Sequence, residues 1–281
     1  MSNYLIITSG LKKIVIEYVR SLANLVQGTI IETPGDTIPE YSILDRFIYF
    51  GAAYANYTLR NESNIFLVNL EQLTIDGTHS QYNFLTPLLN IHARCPRITV
   101  CDYSNANCII LKKHGILSRY LPYQVNRDEI HMYEKTLDYV LCCSFNSRTN
   151  HIYSSIVSSF DKHMFIGNPP KWGRERDNIL FRSKILINVH HREHDYNILE
   201  EIRITRCILN KVIVISEYSE HYATYPLSNY IIFGKYDDLA TIVTHTLNNY
   251  NEIYSNLYKE FDINSIDTLL NTYIEKALIM V

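Results

Sequence analysis

Residues 184–201 read KILINVHHREHDYNILEE, an apolar run that passes directly into a polar loop and then into a segment with helical spacing. A second apolar run, KVIVIS, occupies residues 211–216. Near-continuous runs of this kind, rich in β-branched residues, are typical of strands buried on both faces of a parallel sheet. The stretch therefore predicts a strand, a loop, a helix and a second strand, which is the repeating unit of an α/β fold.

The same alternation extends over the whole chain of 281 residues. Strands are predicted at residues 4–8, 29–32, 46–50, 65–69, 98–101, 118–121, 138–143, 163–166, 184–189, 211–216 and 229–233. Helices are predicted at residues 11–26, 52–60, 80–92, 104–114, 147–159, 173–182, 196–209 and 236–249, with a helical tail from residue 250. Alternation predicts parallel sheets covered by helices on both faces. Because eleven strands are many for one sheet, we expect two smaller sheets, separated near residues 122–136.

The loop contains a zinc-binding pattern that must be weighed against this fold. His190, Glu193 and His194 match the H-x-x-E-H signature of inverted zinc peptidases. That signature needs a helix, because only i, i+4 spacing brings both histidines onto one face. Here a strong strand prediction ends immediately before His190, and no downstream helix offers an obvious third ligand. We therefore interpret the pattern as a loop at the carboxyl end of a strand, with no metal.

The carboxyl ends of parallel strands are where open α/β sheets bind their ligands. Asn197 is a suitable N-cap for the helix at 196–209, and Glu200 and Glu201 fall in its first turn. Capping and compensation of the helix dipole explain these residues without a ligand, and Arg203 is close enough in sequence to hold Glu201. The structural and the ligand-binding interpretations both stay open at this point.

Composition limits the class of protein. A hydrophobic share of 47% and a charged share of 20% are typical of a soluble globular protein, and a formal charge of −3 argues against nucleic acid as the main ligand. No apolar run approaches the roughly 18 residues that span a bilayer, so no transmembrane segment is expected. The start of the chain does not resemble a secretory signal. Six cysteines without a CxxC pair favour reduced thiols and a cytoplasmic location.

Residues 173–217, GRERDNILFRSKILINVHHREHDYNILEEIRITRCILNKVIVISE, resemble the donor-binding region of GT-B glycosyltransferases, particularly the spore-maturation-protein-like and giant-virus group. In that group a helix ending in SK precedes a strand of the ILNIH type, a polar loop, an N-L-x-x-x-E helix and a G-x-x-V-I-S/T-E/D strand. FRSK, ILINVHH, NILEE and KVIVISE are the counterparts here. The resemblance continues in IIFGKYDDLATIVTHTLNN and, in the first half, in FLVNLEQLT, CDYSNANCIILKKHG and YLPYQVN.

The sequence departs from that family in one region. Asn210 and Lys211 stand where the family has glycine before its V-I-S strand. Counting back from that strand places the family's sugar-nucleotide glutamate on Thr205, whereas counting forward from Asn197 places it on Glu200 or Glu201. We favour the forward count, because this carboxylate must lie at the helix N-terminus.

The resemblance implies an α/β fold of two Rossmann-like domains whose parallel sheets face a cleft, which is the GT-B architecture. Residues 1–125 would form the N-terminal acceptor domain and residues 136–249 the C-terminal nucleotide-sugar donor domain. The C-terminal helices, residues 250–281, would cross back and pack on the N-terminal domain.

The function that the resemblance implies is metal-independent transfer of a sugar from a UDP-, GDP- or TDP-linked nucleotide sugar to a glycan or protein acceptor. No cofactor beyond this co-substrate and no nucleic-acid partner are expected, and likeness to giant-virus proteins places the chain in the host cytoplasm. The alternative is a catalytically inactive GT-B-like protein that binds a nucleotide or a partner. The missing glycine and the displaced glutamate favour that alternative.

Candidate donor-binding residues lie near the ends of the predicted strands of the second half. Arginine and lysine side chains are suited to the diphosphate, since guanidinium groups match phosphate geometry. Strand-end and loop residues would contact the sugar, and the carboxylates would accept the ribose hydroxyls. The predicted set is Arg148, Lys171, Arg174, His190, Asn197, Glu200, Glu201 and Ser216. Glu217, beside Ser216 at the same strand end, is a further candidate for contact with the sugar, although capping of the following helix explains it as simply.

An inverting enzyme also needs a base to deprotonate the acceptor hydroxyl, whereas a retaining enzyme does not. Glu71 and Asp102 each end a predicted strand of the first half, and His79 lies in the loop after Glu71. These three residues are the candidate bases, although a structural role is the more common explanation for each of them.

Overall fold

The computed structural model of the protein describes residues 2–33, 44–51, 59–73, 84–131, 133–143, 146–160, 162–166, 173–190 and 197–279. The strands within these ranges are β1 (Asn3–Thr8), β2 (Thr29–Thr33), β3 (Arg46–Phe50), β4 (Ile65–Asn69), β5 (Thr99–Asp102), β6 (Arg119–Tyr120), β7 (Leu137–Cys142), β8 (His163–Ile166), β9 (Ser183–Asn188), β10 (Ile213–Glu217) and β11 (Ile231–Gly234). The α-helices are α1 (Ser9–Val26), α2 (Leu85–Arg94), α3 (Asn105–Lys113), α4 (Ser147–Ile156), α5 (Gly173–Phe181), α6 (Glu201–Leu209), α7 (Leu239–Asn248), α8 (Tyr250–Leu257) and α9 (Ile263–Ala277).

The strands form two separate parallel sheets, as the sequence predicts. One sheet has six strands in the order β2-β1-β3-β4-β5-β6, and the other has five in the order β11-β10-β9-β7-β8. Every pairing is parallel, and in the second sheet Ile213 of β10 is in register with Ile185 of β9. In both sheets the second strand lies on one side of the first and the third strand on the other. This reversal of direction is the switch point at which doubly wound sheets bind ligands.

The chain divides into two compact units. Unit 1 comprises residues 1–125 and 267–281, and unit 2 comprises residues 126–266. The boundary at residue 125 coincides with the one predicted from sequence. The C-terminal segment differs from the prediction, because α8 belongs to unit 2 and only residues from 267 onwards belong to unit 1.

The central strands are buried on both faces because helices cover each sheet on both sides. All five residues of β4 are buried. Helix α1 presents Leu11, Val15, Val19 and Leu22 to the core of unit 1, and each of these is at least nine-tenths buried. Their spacing of four, four and three residues places them on one stripe of the helix, and this stripe packs against the sheet.

In unit 2 a buried ion-pair cluster anchors helix α6. The Arg206 guanidinium donates to both carboxylate oxygens of Asp177, at 3.1 and 2.7 Å, and through Nε to Glu129 at 2.8 Å. Arg206 is 4% exposed, so this bidentate pair is shielded from water. The cluster joins the last turn of α6 to α5.

Two helices begin five residues later than predicted. Helix α2 begins at Leu85 rather than at residue 80, and α6 begins at Glu201 rather than at residue 196. The helix predicted at 52–60 falls mostly outside the described residues.

Candidate functional site

The switch point of the five-stranded sheet lies between β7 and β9, which are neighbours although β8 separates them in sequence. The chain leaves these two strands in opposite directions, so the loops that follow them diverge and leave space at the carboxyl edge. Arg148 follows β7, and His190 follows β9. The structure therefore brings two of the predicted donor-binding residues to the expected edge.

A capping box fixes the backbone around Arg148. The Asn146 side chain accepts from the Thr149 backbone N–H at 2.9 Å, and the Thr149 hydroxyl accepts from the Asn146 N–H at 2.9 Å. This reciprocal pair satisfies two backbone donors at the start of α4 and holds the first turn in place. Arg148 is the second residue of that turn.

The Arg148 side chain is held from two sides. Its Nη2 donates to Glu217 Oε1 at 2.5 Å, and its guanidinium carbon lies 3.9 Å from the centre of the Tyr236 ring. The Tyr236 hydroxyl donates to the Arg148 carbonyl at 3.0 Å. Arg148 Nε is buried and has no hydrogen-bond partner in the described part of the chain. The side chain is thus a positioned cation held by Glu217 and Tyr236.

His190 links two consecutive residues at the end of β10. Its backbone N–H donates to Glu217 Oε2 at 3.1 Å, and its Nε2 lies 3.0 Å from the Tyr218 carbonyl and 3.3 Å from the Ser219 hydroxyl. Because a carbonyl only accepts, Nε2 carries the hydrogen. Burial lowers the pKa of His190, while the nearby Glu217 carboxylate opposes that shift. The ring is therefore neutral at pH 7 and holds the loop after β10, whereas the backbone N–H of His190 orients Glu217.

The N-terminus of α6 corrects one sequence prediction. Asn197 is not the N-cap: the cap position is Glu200, whose side chain makes no capping hydrogen bond. Ile198 and Leu199 are 1% and 2% exposed, so burial of these two side chains holds the segment in a non-helical conformation. The carbonyl of Asn197 instead accepts from the Glu220 backbone N–H at 3.0 Å.

The two candidate glutamates of this segment have different surroundings. The Glu200 side chain is 35% exposed and lies 3.8 Å from Arg203, which is therefore the partner of Glu200 and not of Glu201 as expected. Glu201 is 3% exposed and begins the buried helix. Only Glu200 is accessible enough to accept hydrogen bonds from a ribose.

The remaining donor candidates do not gather at the switch point. Ser216 is fully buried, accepts from Asn188 at 3.0 Å and donates to the Glu217 carbonyl, so it joins β9 to β10 and does not face a ligand. Arg174 is exposed near the start of α5. Lys171 lies outside the described residues.

In unit 1 the carboxyl edge of the six-stranded sheet contains a buried polar network centred on Asp102. Its carboxylate accepts from the Asn69 amide at 2.7 Å, the Asn107 amide at 2.9 Å and the Ser104 backbone N–H at 2.9 Å. Both amides also donate to the Glu71 carbonyl, at 2.7 and 2.8 Å. The network ties β4, β5 and the start of α3 to the loop after β4.

This geometry argues against Asp102 as the acceptor base. The side chain is fully buried, and burial raises its pKa to about 8. A carboxylate that is sealed from solvent and occupied by three donors does not reach an acceptor hydroxyl, so the structure gives Asp102 a structural role. Glu71 is only half-buried at the same edge and stays a candidate, while His79 lies outside the described residues.

One residue of the unit 2 site, Tyr236, was absent from the predicted set, and Glu217 was predicted only to contact the sugar. Glu217 and Tyr236 contact Arg148 from 69 and 88 residues away along the chain. A signal for both was present, because Glu217 ends β10 and Tyr236 follows β11 by two residues. Placement at a strand end did not, however, indicate that both would contact the same arginine.

Only His190 of the zinc-binding pattern lies within the described residues. Among the residues that the structure describes, no group of three or more histidine, cysteine or acidic side chains is arranged to hold a metal ion. Glu193 and His194 lie outside those residues. His190 Nε2 is engaged by a backbone carbonyl.

The fold defined by these two parallel sheets is that of GT-B glycosyltransferases. Over 99% of this chain and 97% of the other, the structure is similar to that of AviGT4, a glycosyltransferase involved in avilamycin A biosynthesis, with a TM-score of 0.55 and 8% identity. TarM is similar over 83% of this chain and 55% of its own, with a TM-score of 0.48 and 11% identity. The predicted α/β fold class is confirmed, while membership of the spore-maturation-protein-like group stays a prediction.

In sequence, the chain is similar to uncharacterized proteins of Acanthamoeba polyphaga mimivirus. L137 is 31% identical over 202 residues, which cover 68% of this chain but only 26% of L137. R358 is 26% identical over 222 residues, which cover 77% of this chain and 74% of R358. No family model matches the chain. In the described part of the chain, no helix combines the length and the hydropathy needed to cross a membrane.

Proposed function

We propose that the protein is a glycosyltransferase that moves a sugar from a nucleotide-sugar donor to a glycan or protein acceptor without a metal ion. The GT-B fold supports sugar transfer at the level of fold. The proposal rests on the Arg148 cluster, which consists of Arg148, Glu217 and Tyr236. In this cluster the Arg148 cation is held in position at the switch point of the five-stranded sheet.

Arg148 is suited to bind the donor diphosphate and to stabilise it as it leaves. Negative charge grows on the diphosphate when the bond to the sugar breaks, and a cation that is already oriented stabilises that charge without reorganisation. Glu217 and Tyr236 supply the orientation. The Arg148 and Glu217 side chains are 17% and 13% exposed, so solvent screens this charge only partly.

Glu200 is the carboxylate that we assign to the ribose hydroxyls. It lies at the start of α6, the helix that follows β9, and β9 borders the switch point. Arg203 lies 3.8 Å from the carboxylate and holds it near the helix end. Glu71 stays the candidate base of an inverting reaction.

A viral role is part of the proposal. The mimivirus relatives support a viral origin, and we propose that the enzyme acts on glycans in the host cytoplasm. The chain spans only 26% of L137, so the proposal does not extend to any activity of that longer protein.

Isothermal titration calorimetry with a panel of UDP-, GDP- and TDP-sugars tests the proposal. We expect the wild type to bind at least one donor and to hydrolyse it slowly. Arg148→Met should weaken that binding by about tenfold to a hundredfold, which is the contribution of a hydrogen bond to a charged group. The matched control is Lys259→Met, which removes an exposed cation from the same unit and should leave affinity unchanged.

Two results would contradict the proposal in different ways. Absence of binding to every donor would exclude nucleotide-sugar chemistry. Binding without hydrolysis or transfer would indicate an inactive nucleotide-binding protein.

A further inference from the structure

Three aromatic side chains form a partly exposed patch at the carboxyl edge of the five-stranded sheet. The patch, which we call the aromatic platform, consists of Tyr218, Tyr222 and Phe233. Its ring centroids are 5.2 Å apart for Tyr218–Tyr222, 5.8 Å for Tyr218–Phe233 and 4.5 Å for Tyr222–Phe233. The two tyrosines are 47% and 36% exposed. Clustered aromatic rings that remain in contact with water are a common mark of a binding surface.

The platform is held rigidly by the sheet. Phe233 lies on β11 in register with Ser216 of β10. The Tyr218 backbone N–H donates to the Gly234 carbonyl at 3.0 Å, and the Tyr218 carbonyl accepts from His190 Nε2. Because both backbone groups of Tyr218 are engaged, little conformational freedom is lost when a ligand binds to its ring.

The platform is continuous with the site proposed for the donor. Tyr218 directly follows Glu217, the partner of Arg148. His190 contacts both residues, through its backbone N–H and its ring. The aromatic platform and the site proposed for the donor therefore share the end of β10.

The polar groups next to the rings indicate which ligand they suit. Glu220 and His221 lie in the same turn as Tyr222, with 3.6 Å between His221 Nε2 and Glu220 Oε1. His221 Nε2 is buried and makes no hydrogen bond in the described part of the chain. A carboxylate, an imidazole and two phenol hydroxyls around aromatic faces complement a sugar ring, which has hydroxyl groups at its edge and C–H groups on its face. An acidic side chain in this position disfavours a phosphorylated ligand.

We propose that the aromatic platform binds a neutral sugar ring of the acceptor glycan. The inference rests on the proposed transferase function, because that function makes a glycan the expected second substrate. It adds a binding surface on unit 2 and a substrate class to that function.

Saturation-transfer NMR and titration with neutral hexasaccharides test the inference, with maltohexaose, cellohexaose, chitohexaose and mannohexaose as probes. We expect the wild type to bind at least one of them in the absence of any nucleotide. Tyr218→Ala and Tyr222→Ala should each weaken that binding by about tenfold, the effect of losing one aromatic contact. Tyr218→Phe keeps the ring and should retain most of the affinity. Tyr254→Ala, which removes a tyrosine from α8 of the same unit, is the matched control and should have no effect.

The outcomes separate this inference from the proposed function. No binding to any hexasaccharide, or equal binding by wild type and Tyr218→Ala, overturns the aromatic platform as a glycan site. Weaker nucleotide-sugar binding by Tyr218→Ala with unchanged hexasaccharide binding overturns it too, because the rings would then hold the base. Hexasaccharide binding that depends on Tyr218, in a protein that binds no nucleotide sugar, keeps the glycan site and removes the transferase function.

Discussion

Asp102 in unit 1 and Glu217 in unit 2 are both carboxylates at the carboxyl ends of parallel strands, yet the protein surrounds them with opposite chemistry. Asp102 is fully buried and accepts hydrogen bonds from neutral amide groups. Glu217 keeps some contact with solvent and pairs with the Arg148 guanidinium. The carboxylate at the carboxyl end of a strand therefore has a structural role in unit 1, whereas in unit 2 it forms part of a charged site. Strand-end position alone does not distinguish the two cases.

The largest expected effect comes from removing the Asp102 side chain from its buried hydrogen-bond network. In Asp102→Ala, the Asn69 and Asn107 amides each lose one acceptor, and the Ser104 N–H loses its partner. Unsatisfied buried donors cost about 1–3 kcal/mol each, so the free energy of unfolding should fall by about 3 kcal/mol. Urea denaturation monitored by circular dichroism measures this change. Glu62→Ala, which removes an exposed carboxylate of unit 1, is the control, and an equal loss in both variants would contradict a structural role for Asp102.

A smaller effect is expected at the ion pair of Arg148 and Glu217 in unit 2. In a double-mutant cycle, Arg148→Met and Glu217→Gln should show a coupling of about 1–2 kcal/mol in the stability of unit 2, because solvent still reaches the ion pair. Thermal or urea unfolding of the four proteins gives the coupling energy. Additive effects of the two substitutions would mean that Glu217 does not position Arg148.

The two edges should also respond differently to pH. Burial raises the pKa of Asp102 to about 8, above its value in the unfolded chain, so the protonated form is favoured by folding. The resulting stabilisation is complete below about pH 4 and is lost as the pH rises through about 8, with a slope of at most about 1.4 kcal/mol per pH unit. Unfolding measured from pH 5 to pH 9 should show this slope in the wild type. Asp102→Asn should abolish it, and a slope that persists in that variant would assign it to another group.

The smallest effect separates the two glutamates of α6. Glu200→Gln should weaken nucleotide-sugar binding about fivefold, by about 1 kcal/mol, because an accessible carboxylate would lose its charge. Glu201→Gln should leave affinity unchanged and alter stability instead, since this side chain is buried. Parallel titrations of the two variants decide between them, and the reverse pattern would exchange their roles.

Much of the fold follows from periodicity, because an apolar run buried on both faces of a sheet is directly visible in the sequence. Each strand prediction overlaps an observed strand, and the two-sheet arrangement follows from their number. The start of α6 could not be predicted in the same way. Asn197 has the composition of an N-cap, but tertiary burial of Ile198 and Leu199 decides where the helix begins.

The candidate site was predictable in position but not in detail. Strand-end reasoning led to Arg148 and His190, which the structure brings to one edge. It also selected Ser216 and Asp102, because a sequence does not show whether a strand-end polar side chain faces solvent or a buried amide. The pairing of Arg148 with Glu217 and Tyr236 depends on contacts between distant parts of the chain, which one sequence does not reveal.

The most direct test of the difference between the two edges is a backbone-assigned NMR titration with the nucleotide sugar that binds most tightly. The proposed function predicts chemical-shift changes centred on Arg148, His190 and Glu217, with the amides of Asn69 and Asp102 unaffected by direct contact. Shifts centred on the Asp102 network, with none around Arg148, would contradict the assignment of the donor site to unit 2.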